Sequence, residues 1–589
     1  MYRGIKGKGN YPPKNWSIFM EKLMKINKNL LFLIFLTLFL VNCSKNETAC
    51  KAADVVFTNT TIYTQNQSNP IAESLAFLGN TLVFVGSNLS SQDYQCGEAQ
   101  VIDLEGDYVF PGFVDSHAHL KGIGRRENSL NLQGINSLKE MLTAVEIYSN
   151  GIEPGEWVIG RGWIEKVWPE KRFPTRYELD RFSSDKPIML ERADGHAVVV
   201  NSLALELAGI SSDSIDPHGG RIEKDTNGKP TGMLIDRATS LVEKLIPERT
   251  KQEDKRDLKA GIDKNISLGW TQVQIAGGTF SDIKILEEIR DEGNLLQRVY
   301  LAVSAGKPAE TLLKVGSTLD PTNMLTVRGI KLYADGALGS RGAALIEEYD
   351  DQETKGLVIF TKEETMPVLL EALRKGIQIQ THAIGDLGNR LTLDWYEEAF
   401  DLVRKGERKI ADPRWRIEHS QIIREEDQVR FRDMEIIASM QPSHAIGDLH
   451  FAPSRLGMDR VGNGYPWRNL IDLGVVIAGG SDAPVEIGDP LIEFYAAIER
   501  KDLDGFYDEG WHLEQAVSRE EALKMFTIWP SFAAFQEDIK GTIEVGKLAD
   551  LTVFSKDIMQ VPPKEILQAE VIMTVVDGNI VFDPTKKGT

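Results

Sequence analysis

The chain has 589 residues, 42% hydrophobic and 26% charged, proportions that exclude bulk disorder, a collagen-like rod and a polytopic membrane protein. Its 67 Lys plus Arg stand against 87 Asp plus Glu, a net charge of −20, which repels phosphate backbones in the absence of a segregated basic face and points away from nucleic acid as a partner. Three cysteines are too few for a disulfide scaffold, and the nine histidines must be judged by where they stand.

Lys22, Lys25 and Lys28 precede a 12-residue apolar run, Leu30 to Val41, followed by Asn42 and Cys43. A spanning helix needs about 20 apolar residues, so residues 1–42 read as a secretory signal. The stretch LVNCS resembles a bacterial lipoprotein signal, which implies a lipid on Cys43 and a chain anchored to a membrane in the periplasm or cell envelope. An uncleaved anchor with an inert Cys43 is the alternative. In both cases Cys50 and Cys96 lie in an oxidising compartment where a disulfide persists, and a bridge and two free thiols are both open. Removing residues 1–42 takes away seven Lys plus Arg and one acidic residue, leaving 60 against 86 and a charge of −26.

Residues 43–108 carry short β runs broken by Gly, Asn and Ser, such as ESLAFLGNTLVFVG. Residues 541–589 do the same, with Asp577-Gly578 marking a hairpin between VIMTVV and NIVF. Each end is too thin to bury a core alone, so the two are expected to join in one small β-sandwich subdomain. Between them, residues 109–540 repeat strand-then-helix units (GWTQVQIA then SDIKILEEIRDEG; GIKLYADG; IQIQTHAIGD). That alternation predicts an α/β fold, a (β/α)8 TIM-like barrel. From about 122 to 247 the alternation fails, and Gly, Pro, Trp and charge predict an insertion that covers the barrel mouth as a lid.

Five places share one pattern, a short apolar run ending in a potential metal ligand: His117 with His119, Lys331, His382, His419 and Asp482. The last four are separated by 51, 37 and 63 residues, room for at least one β/α unit each. Strand C-termini of a barrel open on one face, so such ligands converge. His117 and His119, two apart on a strand, point the same way and can chelate one ion.

PGFVDSHAHL, KLYADGALGSRGA, QTHAIGD, RIEHSQ and GSDAPVE, in this order, resemble the amidohydrolase superfamily of metal-dependent hydrolases. DGHAVVVNSLAL, GGRIEKDTNGKPTGML and MQPSHAIGD are similar to its amidohydrolase 3 branch, which includes an N-substituted formamide deformylase. The resemblance implies two divalent ions, Zn2+ above others. His117, His119 and Asp482 would hold one, His382 and His419 the second, and Lys331, carboxylated by CO2, would bridge them. Two such ions with carbamate, Asp482 and a bridging hydroxide leave a charge of about +1, suited to a carbonyl under attack. The implied activity is hydrolysis of a C–N bond in a small amide, N-formyl, N-acyl or cyclic, by the metal-bridged hydroxide, with Asp482 as proton shuttle. Around it, His196 with Asp194, Trp163 and His444 are candidate substrate contacts, and analogy within the superfamily suggests a homodimer. An uncarboxylated Lys331 paired with Asp335 is the plainer reading of that lysine. A one-metal deaminase of the same superfamily and an inactive exported binding lipoprotein are the alternative functions.

Overall fold

The computed structural model describes residues 50–585 apart from 166–167, 183–184, 193–196, 218–219 and 507–509. The signal segment, Cys43, Asp194 and His196 lie outside the described residues. No helix among those described is long and apolar enough to cross a membrane. Cys50 and Cys96 are joined by a disulfide.

The two chain ends do meet. Strands Val55–Thr58, Ser74–Leu78, Thr81–Gly86 and Gln100–Asp103 form a four-stranded sheet. A second sheet interleaves Thr61–Tyr63 and Tyr108–Pro111 with Leu551–Phe554, Val571–Val576 and Asn579–Phe582. Its central contact is the antiparallel pairing of Tyr108–Pro111 with Leu551–Phe554, residues about 440 apart in sequence. Phe57, Leu75 and Phe77 pack with Val109, Val553 and Val575 as the shared core. The hairpin between the last two strands turns at Asp577 (φ 54°) and Gly578 (φ 73°), the positive pair that a two-residue turn of this hand requires.

Eight parallel strands make the barrel: β1 (Phe113–Ala118), β2 (Trp270–Gly278), β3 (Arg298–Ser304), β4 (Leu325–Tyr333), β5 (Gln378–Ala383), β6 (Arg416–His419), β7 (Ile437–Met440) and β8 (Ile477–Gly479). They neighbour one another in sequence order. Between β8 and β1 the seam is closed by Asp482 N–H donating to His117 O at 2.7 Å and His119 N–H to Ala483 O at 2.8 Å. Gly480 permits that approach, because a Cβ there would lie 2.5 Å from His117 N. Barrel and sandwich are tied by the fully buried Arg298 at the start of β3. Its guanidinium donates to Asp550 at 2.7 and 3.0 Å and to Asp577 at 2.9 Å.

The stretch expected to be an irregular lid has a sheet of its own. Six strands between Leu130 and Asp236 form a mixed sheet with cores on both faces, one built on Trp163, Trp168, Leu190 and Val199, the other on Val198, Val200 and Leu234. Runs such as Ile188–Arg192 and Ala197–Val200 are apolar at consecutive positions because both faces are covered, so the alternation that marks a half-exposed strand is missing.

Candidate metal centre

The C-terminal ends of the barrel strands bring the expected residues to one place. His117 is the last residue but one of β1 and His119 follows the strand; Lys331 lies near the end of β4, His382 on β5, His419 at the end of β6, and Asp482 just beyond β8. His419 (φ 73°) and Asp482 (φ 58°) take left-handed backbone conformations, which cost a non-glycine residue about 1–3 kcal/mol each and persist where the surrounding structure demands them.

Asp482 is the hub. Its Oδ1 lies 3.1 Å from His119 Nε2 and 3.5 Å from His117 Nε2, and its Oδ2 lies 3.5 Å from His444 Nε2. Two triads of potential ligands therefore share it: His117, His119 and Asp482, and His419, His444 and Asp482. The His382 and His419 rings are 4.5 Å apart, and those of His117 and His419 4.7 Å. Lys331 Nζ lies 3.2 Å from His117 Nε2.

These groups are in the states a cation needs. Burial, reinforced by Lys331, pulls His117 down to about 4 and His382 to about 3, and burial with the neighbouring imidazoles takes His419 well below its ordinary value. All three are neutral ligands at neutral pH. Burial works against the Asp482 carboxylate, but His119, His117 and His419 outweigh it and hold the group well below the usual range. Buried Asp482 Oδ1 has no hydrogen bond of acceptable geometry. An anionic oxygen set among imidazole nitrogens fits a divalent ion, and nitrogen with oxygen donors suits Zn2+, Mn2+ or Fe2+.

Around the imidazoles lie residues that the sequence reading did not single out as site residues. His117 Nδ1 meets Glu418 Oε2 at 2.5 Å, with both side chains fully buried. Arg416 Nε lies 3.2 Å from Glu418 Oε1. Burial alone would raise Glu418, but Arg416 and His117 hold it down at about 2. Two glutamines cross over between neighbouring strand ends: Gln441, three residues before His444, meets His419 Nδ1 at 2.8 Å, and Gln421, two residues after His419, meets His444 Nδ1 at 3.0 Å. A signal for the ion pair was present. Arg416 and Glu418 stand two apart on one face of a strand in a parallel sheet, where buried opposite charges must find each other.

Three expectations change in detail. Asp335 is not the partner of Lys331; its oxygens accept from the N–H groups of Ala344, Ile384 and Gly385 at 2.8–2.9 Å, which shapes the loops after β4 and β5. Trp163 is fully buried in the insertion's own core with its indole N–H donating to Leu190 O at 2.9 Å, so packing accounts for it rather than a substrate wall. His444, expected as a substrate contact, stands among the potential ligands. Between the insertion and the barrel, a cavity of about 930 Å3 is lined by Arg125 and Arg126 after β1, Trp157 and Arg161 of the insertion, and Pro484 and Val485 after Asp482; none of the potential ligands is among its walls.

The sequence profile of the amidohydrolase family matches residues 100–582. The chain is 32% identical over 531 residues to the putative amidohydrolase YtcJ of Bacillus subtilis, covering 89% of this chain and 98% of that one. It is 28% identical to the N-substituted formamide deformylase of Arthrobacter pascens, covering 90% and 99%. Among solved structures, an uncharacterised metal-dependent hydrolase of Pyrococcus furiosus is similar at a TM-score of 0.69 and 27% identity, over 86% of this chain and 100% of that one.

Proposed function

Because this chain belongs to the amidohydrolase family, we propose that it hydrolyses the C–N bond of a small amide at a centre of two divalent ions, with Zn2+ the best fit. The observation that carries this reading is the convergence of His117, His119, His419 and His444 on the one buried carboxylate of Asp482. In this reading His117, His119 and Asp482 hold one ion, His419 and His382 the other, and His444 is a further donor offered by its position. Ions at this centre supply Lewis acidity toward a carbonyl oxygen and a water of lowered pKa.

The remaining chemistry belongs to the chain. Lys331 is 1% exposed, and burial pulls its amine down to about 8, so a useful fraction is neutral near physiological pH. Only the neutral amine reacts with CO2: a C–N bond forms, one proton leaves to solvent, and the resulting anionic carbamate has two oxygens where an ammonium would repel cations. Asp482 takes the proton released by the attacking water and delivers it to the leaving nitrogen as the C–N bond breaks, giving a carboxylic acid and an amine. In this reading its Oδ2, 3.5 Å from His444 Nε2, carries that proton. The likeness to an N-substituted formamide deformylase supports formamides as the first substrates to try, followed by N-acyl and cyclic amides.

The test is metal analysis with turnover. Apo-protein reconstituted with Zn2+ and bicarbonate is expected to take two ions per chain and to release amine from at least one member of such a panel. Two bound ions with no amide turnover would refute the C–N reading, and a single ion with ammonia release from an amino-heterocycle would favour the deaminase. We also infer that the chain works outside the cytosol, supported by the Cys50–Cys96 bond. Incorporation of labelled fatty acid that disappears in Cys43→Ala tests the anchor.

A further inference from the structure

The imidazoles of the centre are not backed alike. His382 Nε2 has the Gly336 carbonyl at 3.4 Å, with Asp335 Oδ1 beyond hydrogen-bond reach at 3.6 Å. His117 Nδ1 faces a carboxylate, Glu418 Oε2 at 2.5 Å, whereas His419 Nδ1 faces the neutral amide oxygen of Gln441 at 2.8 Å. Both partners fix the ring so that Nδ1 donates and the Nε2 lone pair is left for a metal. Only the carboxylate also draws the Nδ1 proton toward itself, which makes Nε2 more electron-rich and a stronger donor.

Glu418 is itself built in. Its side chain is fully buried, and so is that of Arg416, two residues earlier on the same face of β6. Arg416 Nη1 donates in turn to Gln274 Oε1 on β2 at 2.5 Å, so the chain of contacts crosses the barrel interior before reaching His117. A TIM barrel interior is ordinarily filled with branched apolar side chains. Burying a guanidinium and a carboxylate there is expensive unless they are paired, and bracing a ligand gives the pair a use that packing does not.

We propose that Glu418, oriented by Arg416, is a positioning residue that makes the ion at His117 the more tightly held of the two, so that the centre fills and empties in two distinguishable steps. The inference rests on the two-ion reading above. It concerns the order of loading, not the reaction.

The experiment is chelator competition on the full-length protein loaded with Co2+, followed by the cobalt absorption spectrum and by metal content. Wild type is expected to release its ions in two phases with affinities at least about tenfold apart. Glu418→Gln is expected to weaken the tight phase by about 10–100-fold and bring the two phases together, while Gln441→Leu moves only the weaker one. Glu418→Gln leaves Arg416 without its counter-charge and can fail to fold. The double variant Arg416→Gln/Glu418→Gln carries no unpaired charge and is expected to show the same loss of the tight phase with wild-type circular dichroism. If wild type binds two ions and both Glu418 variants release them as wild type does, the inference is overturned and the two-ion reading stands. If wild type binds no ion, the two-ion reading itself falls and the inference with it.

Discussion

Arg298→Met should loosen the joint between barrel and sandwich without touching the metal centre. In the folded chain the guanidinium makes two bonds to Asp550, whose side chain is 2% exposed, one to Asp577, which is 26% exposed, and, through Nη1, one each to the backbone oxygens of Thr322 and Asn323 at 3.2 and 3.3 Å. Hydrogen bonds to charged groups contribute about 1.5–3 kcal/mol each. Asp577 and the loop carbonyls of Thr322 and Asn323 can recover their bonds from water, so the two bonds to Asp550 set the loss at about 3–6 kcal/mol, in line with the about 3–5 kcal/mol for breaking a buried pair. The nearby Lys540, also buried, can take up a proton and compensate Asp550 in part, which puts the expected value at the lower end. Guanidinium titration followed by tryptophan fluorescence measures it. Arg298→Met/Asp550→Asn removes both charges and should recover at least half of the loss. A cost below about 1 kcal/mol for the single variant, or no recovery in the double, would refute the view that this pair holds the two units together.

Three further outcomes are expected. Burial pulls Lys540 down to about 7 from 10.5, so between those values the unfolded chain binds a proton that the folded chain lacks. Stability should therefore rise with pH across that window by up to about 1.4 kcal/mol per unit from this group, and Lys540→Met should flatten the slope; an unchanged slope would clear Lys540 of the effect. The Cys50–Cys96 bond spans 46 residues, a loop whose closure is worth up to about 4 kcal/mol, so reduction should lower the unfolding midpoint of the N-terminal sheet and leave metal content as it was. His444→Ala should weaken the second ion at least tenfold in the chelator assay, and an unaltered affinity would assign His444 to substrate contact alone.

Much of the architecture was readable because it follows from local rules. Short β runs at both ends, each too small for its own core, predicted their union, and Asp577-Gly578 marked its turn. Apolar runs that end in His, Lys or Asp were readable as strand ends of a barrel because that fold gathers them on one face. The insertion was not: Ile188–Arg192 and Ala197–Val200 are covered on both faces, and a strand without a solvent side carries no alternation. Glu418, Gln421 and Gln441 escaped for a different reason. They act on histidines 301, 23 and 22 residues away in sequence, and only the closed barrel makes them neighbours.

The pairing of Tyr108–Pro111 with Leu551–Phe554 has a consequence for how the chain is made. The earlier strand leaves the ribosome about 440 residues before the strand that covers it, which at about 5–20 residues per second is a wait of roughly 20–90 s. For that interval an apolar strand edge stands open to any other nascent chain. The folding hazard therefore falls on the earlier strand, and a chaperone that shields residues 55–111 until residues 551–554 have emerged would protect that edge.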